Sequence, residues 1–337
     1  MEQIQAPARM MRQRYDNNAA KVNALIDWTF ELKKNKTDNE FQRQIDNYYK
    51  VLKSYYDNNL DLARMDTQIK QVELGIKEAI DAYNQRVNDA PKKLWESGNE
   101  NLKNKNFSQS ISDYTSLIQI SPDFIYVYLN RGVAYLNLSK FSLALADLNK
   151  YIDSKSDDPY ALQQRGWVKY YLDDNIGALK DFNRLIELEP SYYAYYSRGS
   201  AKSNLKDEYG AISDYTKSIE IKPDFSMAYN NRGWAKFNLK KYSDALIDLN
   251  KSIELDPYNW VAYDSRQETK FALNDLKGCL DDCNQGIAFN PKLSNSYFFR
   301  GRVNYRLGKK TEACEDWSKA GELGVEKAYE AIRTYCK

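Results

Sequence analysis

Six arginines recur at nearly one spacing along the chain: Arg131, Arg165, Arg198, Arg232, Arg266 and Arg300. An aspartate follows each at one fixed distance: Asp147, Asp181, Asp214, Asp248, Asp282 and Asp316, with Asp113 one step earlier. Two chemistries suit such a pattern. The guanidinium groups could clamp an anionic ligand, or they could pair with the carboxylates and hold helices in register. The match in number and spacing favours pairing, since a partly buried arginine needs an anionic partner.

Other chemistry is scarce. The 337 residues include no histidine, which removes the commonest general base and zinc ligand. The four cysteines form no zinc signature. Cys279 and Cys283 read as core packing, whereas Cys314 and Cys336 meet at one height if the last helix folds back, a disulfide that would require an oxidising compartment. No catalytic constellation, cofactor site or metal site is expected. With 49 basic and 47 acidic residues the net charge is +2, which argues against nucleic acid as partner. No apolar run reaches the ~20 residues of a membrane helix, so direct membrane insertion is not expected. Residues 1–10 are polar and lack the apolar core of a signal peptide. The compartment stays open: cytoplasmic if Met1 is native, periplasmic or secreted if a leader was removed.

The elements that position these residues follow from a repeat. Gly98, Gly132, Gly166, Gly199, Gly233 and Gly301, with Gln267 in the missing slot, are 34, 34, 33, 34, 34 and 34 residues apart. Twelve residues behind runs a small residue: Ser110, Ala144, Ala178, Ala211, Ala245, Cys279 and Ala313. Pro122, Pro190, Pro223, Pro257 and Pro291 close five units, while Ser156 and Val325 depart. Apolar groups at i, i+3/i+4 and i+7 make each unit two helices, and proline stops the second. The single-residue deletion falls between Pro190 and Gly199, in a turn between units.

Thirty-four residues with Gly-x-x-aromatic, Ala-x3-aromatic and a closing Pro resemble the tetratricopeptide-repeat (TPR) family. The likeness is close in repeats two to five and looser at the ends. It implies an all-α, right-handed solenoid of seven TPR helix pairs over 91–337, whose first helices line a concave groove. Residues 325–336 read as a capping helix, and Ala313 to Trp317 with Glu322 to Gly324 resemble the ends of bacterial TPR proteins. Residues 1–90 lack the ruler and read as three helices, with a capping box at Thr37–Glu40. Phe41, Ile45, Tyr48, Leu52 and Tyr55 form one stripe, and Leu62, Met65, Ile69, Val72, Ile76, Ala79 and Tyr83 a second, coiled-coil-like one. A three-helix bundle leaning on repeat one and a dimerising or docking coiled coil both fit, so a homo-oligomer through 1–90 is one expectation.

By the resemblance, a protein or peptide partner would lie in the groove. The facing residues are Trp95, Asn99, Tyr126, Asn130, Tyr160, Gln164, Trp167, Tyr171, Tyr193, Tyr196, Asn230, Asn231, Trp234 and Asn238, ending at the acidic Asp264 and Glu268. Amides suit a peptide backbone, and rigid aromatics supply contact area. Several of these aromatics could equally fill gaps between helices. The family's carboxylate clamp is not expected, because neither of its two lysines has a counterpart and Trp95 stands at the first. The reading is therefore a non-enzymatic scaffold or adaptor, with a structural subunit using its outer faces as the alternative.

Overall fold

The computed structural model describes residues 90–337, together with Asn47, Lys50, Lys70, Gln71, Leu74, Gly75 and Glu78, all seven helical. The stripes, the capping box and the two readings of residues 1–90 lie outside the described residues. The described chain is all helix and turn. It divides after Leu172 into two compact units.

Numbered from the first described helix, the earlier unit holds α1 (Ala90–Lys103), α2 (Phe107–Ile120), α3 (Tyr126–Asn137), α4 (Phe141–Ser154) and α5 (Pro159–Tyr171). The later unit holds α6 (Asn175–Leu188), α7 (Tyr192–Asn204), α8 (Glu208–Ile221), α9 (Ser226–Asn238) and α10 (Tyr242–Leu255). It continues with α11 (Trp260–Ala272), α12 (Leu276–Phe289), α13 (Ser294–Arg306), α14 (Lys310–Glu322) and α15 (Glu326–Tyr335). Every proline-closed unit ends its second helix two residues before the proline, as at Ile120 and Pro122.

At Gly98, Gly132, Gly199, Gly233 and Gly301 the two helices of a pair touch through the glycine. A Cβ added at Gly301 would lie 2.7 Å from the Trp317 ring, too close for any real side chain, so only glycine lets α13 and α14 meet. Gln267 occupies this slot in repeat six and is fully buried. The facing position, sixteen residues on, is elsewhere Tyr114, Leu148, Phe182, Tyr215, Leu249 or Trp317, but here it is Cys283. The smaller partner makes room for the glutamine. Its amide donates to Asp264 Oδ1 at 2.6 Å, and its carbonyl accepts from Ser296 Oγ at 2.7 Å.

A further periodic feature lies in the turn between first and second helices. Lys105, Ser139, Asp173, Lys206, Lys240 and Asn274 have φ between 57° and 64°, and Gly308 has φ 77°. This left-handed residue ends each first helix and lets the next N–H close a 6→1 hydrogen bond, as Lys241 N does to Lys236 O at 2.9 Å. Second helices then start on aspartate caps where one is present: Asp174, Asp207 and Asp275 accept from the backbone N–H three residues on.

α15 covers the open side of the last pair. Ala328 packs with Ala313, Trp317 and Ala320, supported by Ile332 and Cys336. Cys314 and Cys336 are joined as a disulfide with Cα atoms 5.8 Å apart, the pairing expected from an antiparallel cap. Cys279 and Cys283 are free and buried.

Candidate functional site: the first-helix face

The arginine ladder is internal scaffolding. Arg131, Arg198, Arg232, Arg266 and Arg300 each donate from Nε and Nη2 to the aspartate sixteen residues on, in the second helix of the same repeat. The remaining Nη1 reaches fifteen or sixteen residues back, to the second helix of the preceding repeat. Its acceptors are Thr115, Asn149, Asn183, Thr216, Asn250 and Asn284, reached from Arg131, Arg165, Arg198, Arg232, Arg266 and Arg300 at 2.8–3.1 Å. The sequence pattern alone does not reveal this acceptor ladder, because it mixes two threonines with four asparagines. In repeat one Ser97 replaces the arginine and donates to Asp113 at 2.7 Å. Lysines one turn on, Lys202, Lys236 and Lys270, add a second cation to Asp214, Asp248 and Asp282. Neutralised so, these guanidinium groups are committed to the fold.

In the earlier unit, Asn130 Nδ2 donates to Asn99 Oδ1 at 2.7 Å, and the buried Tyr114 hydroxyl donates to the same oxygen at 2.7 Å. Burial raises the Tyr114 hydroxyl well above its usual range, so it stays a donor. Among the described residues Asn99 Nδ2 and Asn130 Oδ1 then have no partner. One amide donor and one carbonyl acceptor of the pair are thereby left over, the two kinds of group that a peptide unit complements. Trp95, half-buried, sets its ring edge-on to Phe124 at 4.9 Å. Tyr160 and Gln164 are half-buried on α5. Trp167 packs against Tyr170 and Tyr171, and Tyr171, 55% exposed, stacks on Phe141 at 5.0 Å. Tyr126, expected on the surface, is buried against Phe124 and Tyr151 and fills the core instead.

In the later unit two more expected surface residues are buried. Tyr196 packs among Tyr193, Tyr215 and Phe225. Asn230 turns inward, donating to Asn231 Oδ1 at 3.1 Å while its own Oδ1 has no partner among the described residues. Asn231 donates to the Tyr196 hydroxyl at 3.2 Å, so its amide is used within the fold. Trp234 is half-buried and lies parallel to Phe237, ring centres 5.0 Å apart. Asn238 is exposed and donates to Glu208 Oε1 at 2.7 Å. Asp264 and Glu268 both accept from Asn295, at 3.1 and 2.6 Å. Burial raises the Asp264 carboxyl to about 6, against the Asn295 hydrogen bond and with a smaller push from Glu268.

Among the described residues no cluster of three or more cysteine, aspartate or glutamate side chains is placed to hold a metal, and no helix is long and apolar enough to cross a membrane.

Comparison with known proteins agrees with this geometry. Residues 192–225 and 226–259 each match the tetratricopeptide repeat. Ethylene-overproduction protein 1 of Arabidopsis thaliana is 32% identical over 84 residues, 25% of this chain and 9% of that protein. Human RNA polymerase II-associated protein 3 is 31% identical over 100 residues, 30% of this chain and 15% of that one. The matched stretch is therefore a small part of either relative. The crystal structure of a tetratricopeptide repeat protein from Parabacteroides merdae superimposes with TM-score 0.62 at 19% identity, over 74% of this chain and all of that one. Two units match directly, in register with helix pairs of one spacing: the chain is built on tetratricopeptide repeats.

Proposed function

We propose that the first-helix faces bind an extended segment of a partner protein, making this chain a scaffold or adaptor rather than an enzyme. The observation that carries the reading is the Asn99–Asn130 pair, whose hydrogen bond leaves one amide donor and one carbonyl acceptor without a partner among the described residues. A peptide backbone offers the matching carbonyl and N–H, and Trp95 and Tyr171 of the same unit supply rigid area for side chains. Residues 1–90 would add a second contact or a dimer seam. The test is capture of partners from native lysate by the full chain and by an Asn99→Ala/Asn130→Ala variant matched for helicity by circular dichroism. A partner lost by the folded variant supports the reading. One retained equally places the contact elsewhere.

A second reading, a subunit of a larger assembly using its outer faces, is favoured by Ile176, Tyr209 and Ile247. These apolar side chains of second helices in the later unit are 63–67% exposed. Partner capture lost on Ile247→Glu but not on Asn99→Ala/Asn130→Ala would decide for it.

A further inference from the structure

Arg302 and Arg306 stand one turn apart on α13, and both lay their guanidinium group on the ring of Phe271, at 4.1 and 4.4 Å from its centre. Arg302 also faces Phe299 at 5.1 Å and Phe298 at 5.7 Å. The contrast with the ladder is sharp. Arg131, Arg198, Arg232, Arg266 and Arg300 each hold an aspartate at 2.6–2.7 Å. Among the described residues neither Arg302 nor Arg306 has a carboxylate within salt-bridge distance. Arg302 donates no hydrogen bond there, and Arg306 donates only to the neutral Asn274 Oδ1, at 3.1 Å.

Two cations that share one aromatic ring repel each other, and burial of Arg302 weakens the water that would screen them. Burial first, and the charge of Arg306 second, pull the Arg302 guanidinium below its usual proton affinity. Among the described residues Glu268 relieves this only in part and pairs with neither arginine. Asp264 and Glu268 are bonded to Asn295, at the opposite end of α13 from Arg306. An external anion would relieve it further. A guanidinium presents a planar fork matched to two carboxylate oxygens, and the aromatic floor fixes the plane of that fork. Arg302 also holds the position just after the repeat glycine, the register of Trp167 and Trp234.

We propose that Arg302 and Arg306, seated on Phe271, form a subsite for a carboxylate of a bound peptide, from an acidic side chain or from the chain end. The proposal rests on the peptide-binding reading above and assigns one chemical class to one position of it.

The test follows the arginine Nε–Hε NMR resonances of the full chain, assigned with Arg302→Lys and Arg306→Gln. Three tetrapeptides are titrated: acetyl-Ala-Glu-Ala-Glu-amide, acetyl-tetra-alanine with a free carboxylate, and acetyl-tetra-alanine-amide. Saturable shifts of the Arg302 and Arg306 resonances are expected with a carboxylate-bearing peptide and not with the neutral one. The dissociation constant should rise at least about fivefold in Arg306→Gln, an exposed substitution expected to leave the fold intact. Response to the glutamate peptide alone assigns an acidic side chain; response to the free-ended peptide alone assigns a chain terminus. Absence of shifts with all three, or equal shifts with the neutral peptide, overturns the subsite. A lysate partner that ignores Arg302→Gln/Arg306→Gln but is lost on Asn99→Ala/Asn130→Ala also overturns it, while leaving the broader reading in place.

Discussion

Arg232 and Asp248, sixteen residues apart, are joined by two parallel hydrogen bonds of 2.9 and 2.7 Å, and the third arm of the same guanidinium crosses to Thr216 in the preceding repeat. One side chain thus ties three helices. Replacing it with alanine leaves Asp248, whose side chain is 3% exposed, facing Lys236 alone. Arg232→Ala is expected to destabilise the chain by about 2 kcal/mol, less than a fully orphaned buried carboxylate because the lysine remains. Urea denaturation followed by circular dichroism reads this as a lower midpoint at unchanged slope. A loss under 0.5 kcal/mol would show that the pair behaves as a surface ion pair.

The left-handed turn residues offer the opposite sign. Lys240 holds φ 61°, a conformation that costs a side-chain-bearing residue about 1 kcal/mol and glycine almost nothing. Lys240→Gly is expected to stabilise by roughly 0.5–1 kcal/mol, and Gly308→Ala, at φ 77°, to destabilise by a similar amount. Thermal unfolding of the two variants beside the parent checks both at once. A melting point lowered by Lys240→Gly would contradict the account.

Asp264 makes stability depend on pH. Its carboxyl titrates at about 6 in the fold against an ordinary 3.8, chiefly from burial. The folded chain therefore binds more protons than the unfolded chain between those values, and stability falls as pH rises from about 4 to about 6. Above pH 6 the full penalty of a buried charge is present. Asp264→Asn keeps an acceptor for Gln267 and Asn295 but carries no charge. It should exceed the parent by on the order of 1–2 kcal/mol at pH 7 and match it near pH 4. Urea midpoints at the two pH values test this, and a difference independent of pH would assign the effect to packing.

Gln267 and Cys283 should be energetically coupled. Cys283→Leu restores the residue type that faces glycine in other repeats, but here it would collide with the glutamine. It is expected to cost about 2 kcal/mol, whereas Gln267→Gly/Cys283→Leu should recover most of that loss. Additive effects of the two changes in a double-mutant cycle would refute the exchange.

The fold was legible because glycine, alanine and aspartate at fixed offsets are each demanded by one contact. The Gly301 slot tolerates no Cβ, and the aspartate slot must receive an arginine fork. The turn ruler was hidden because Lys105, Ser139, Asp173 and Asn274 share a backbone angle and no side-chain chemistry. The surface was read less well for a related reason. Tyr126 and Tyr196 sit at positions that family likeness turns toward the groove, but whether an aromatic there faces water depends on Phe124 and Phe225 in neighbouring turns, and both pack over them. Asn99 and Asn130 were both named, but the sense of their hydrogen bond, which decides what remains open, is a property of three dimensions. The unpaired state of Arg302 and Arg306 was equally invisible, since it is defined by what surrounds them.

The reach of the arginine ladder also bears on how the chain acquires its structure. Every rung joins residues fifteen or sixteen apart, backward to Thr115 or Asn183 and forward to Asp147 or Asp214. No rung waits for a distant segment, so the loop-closure entropy ahead of each is small, and topologies dominated by such short-range contacts fold quickly. During synthesis a rung can close as soon as the second helix of its repeat has left the ribosome, with the preceding helix already in place to receive the third arm. Assembly would then advance from the N-terminal side one repeat at a time, each new arginine securing the helix that has just been made.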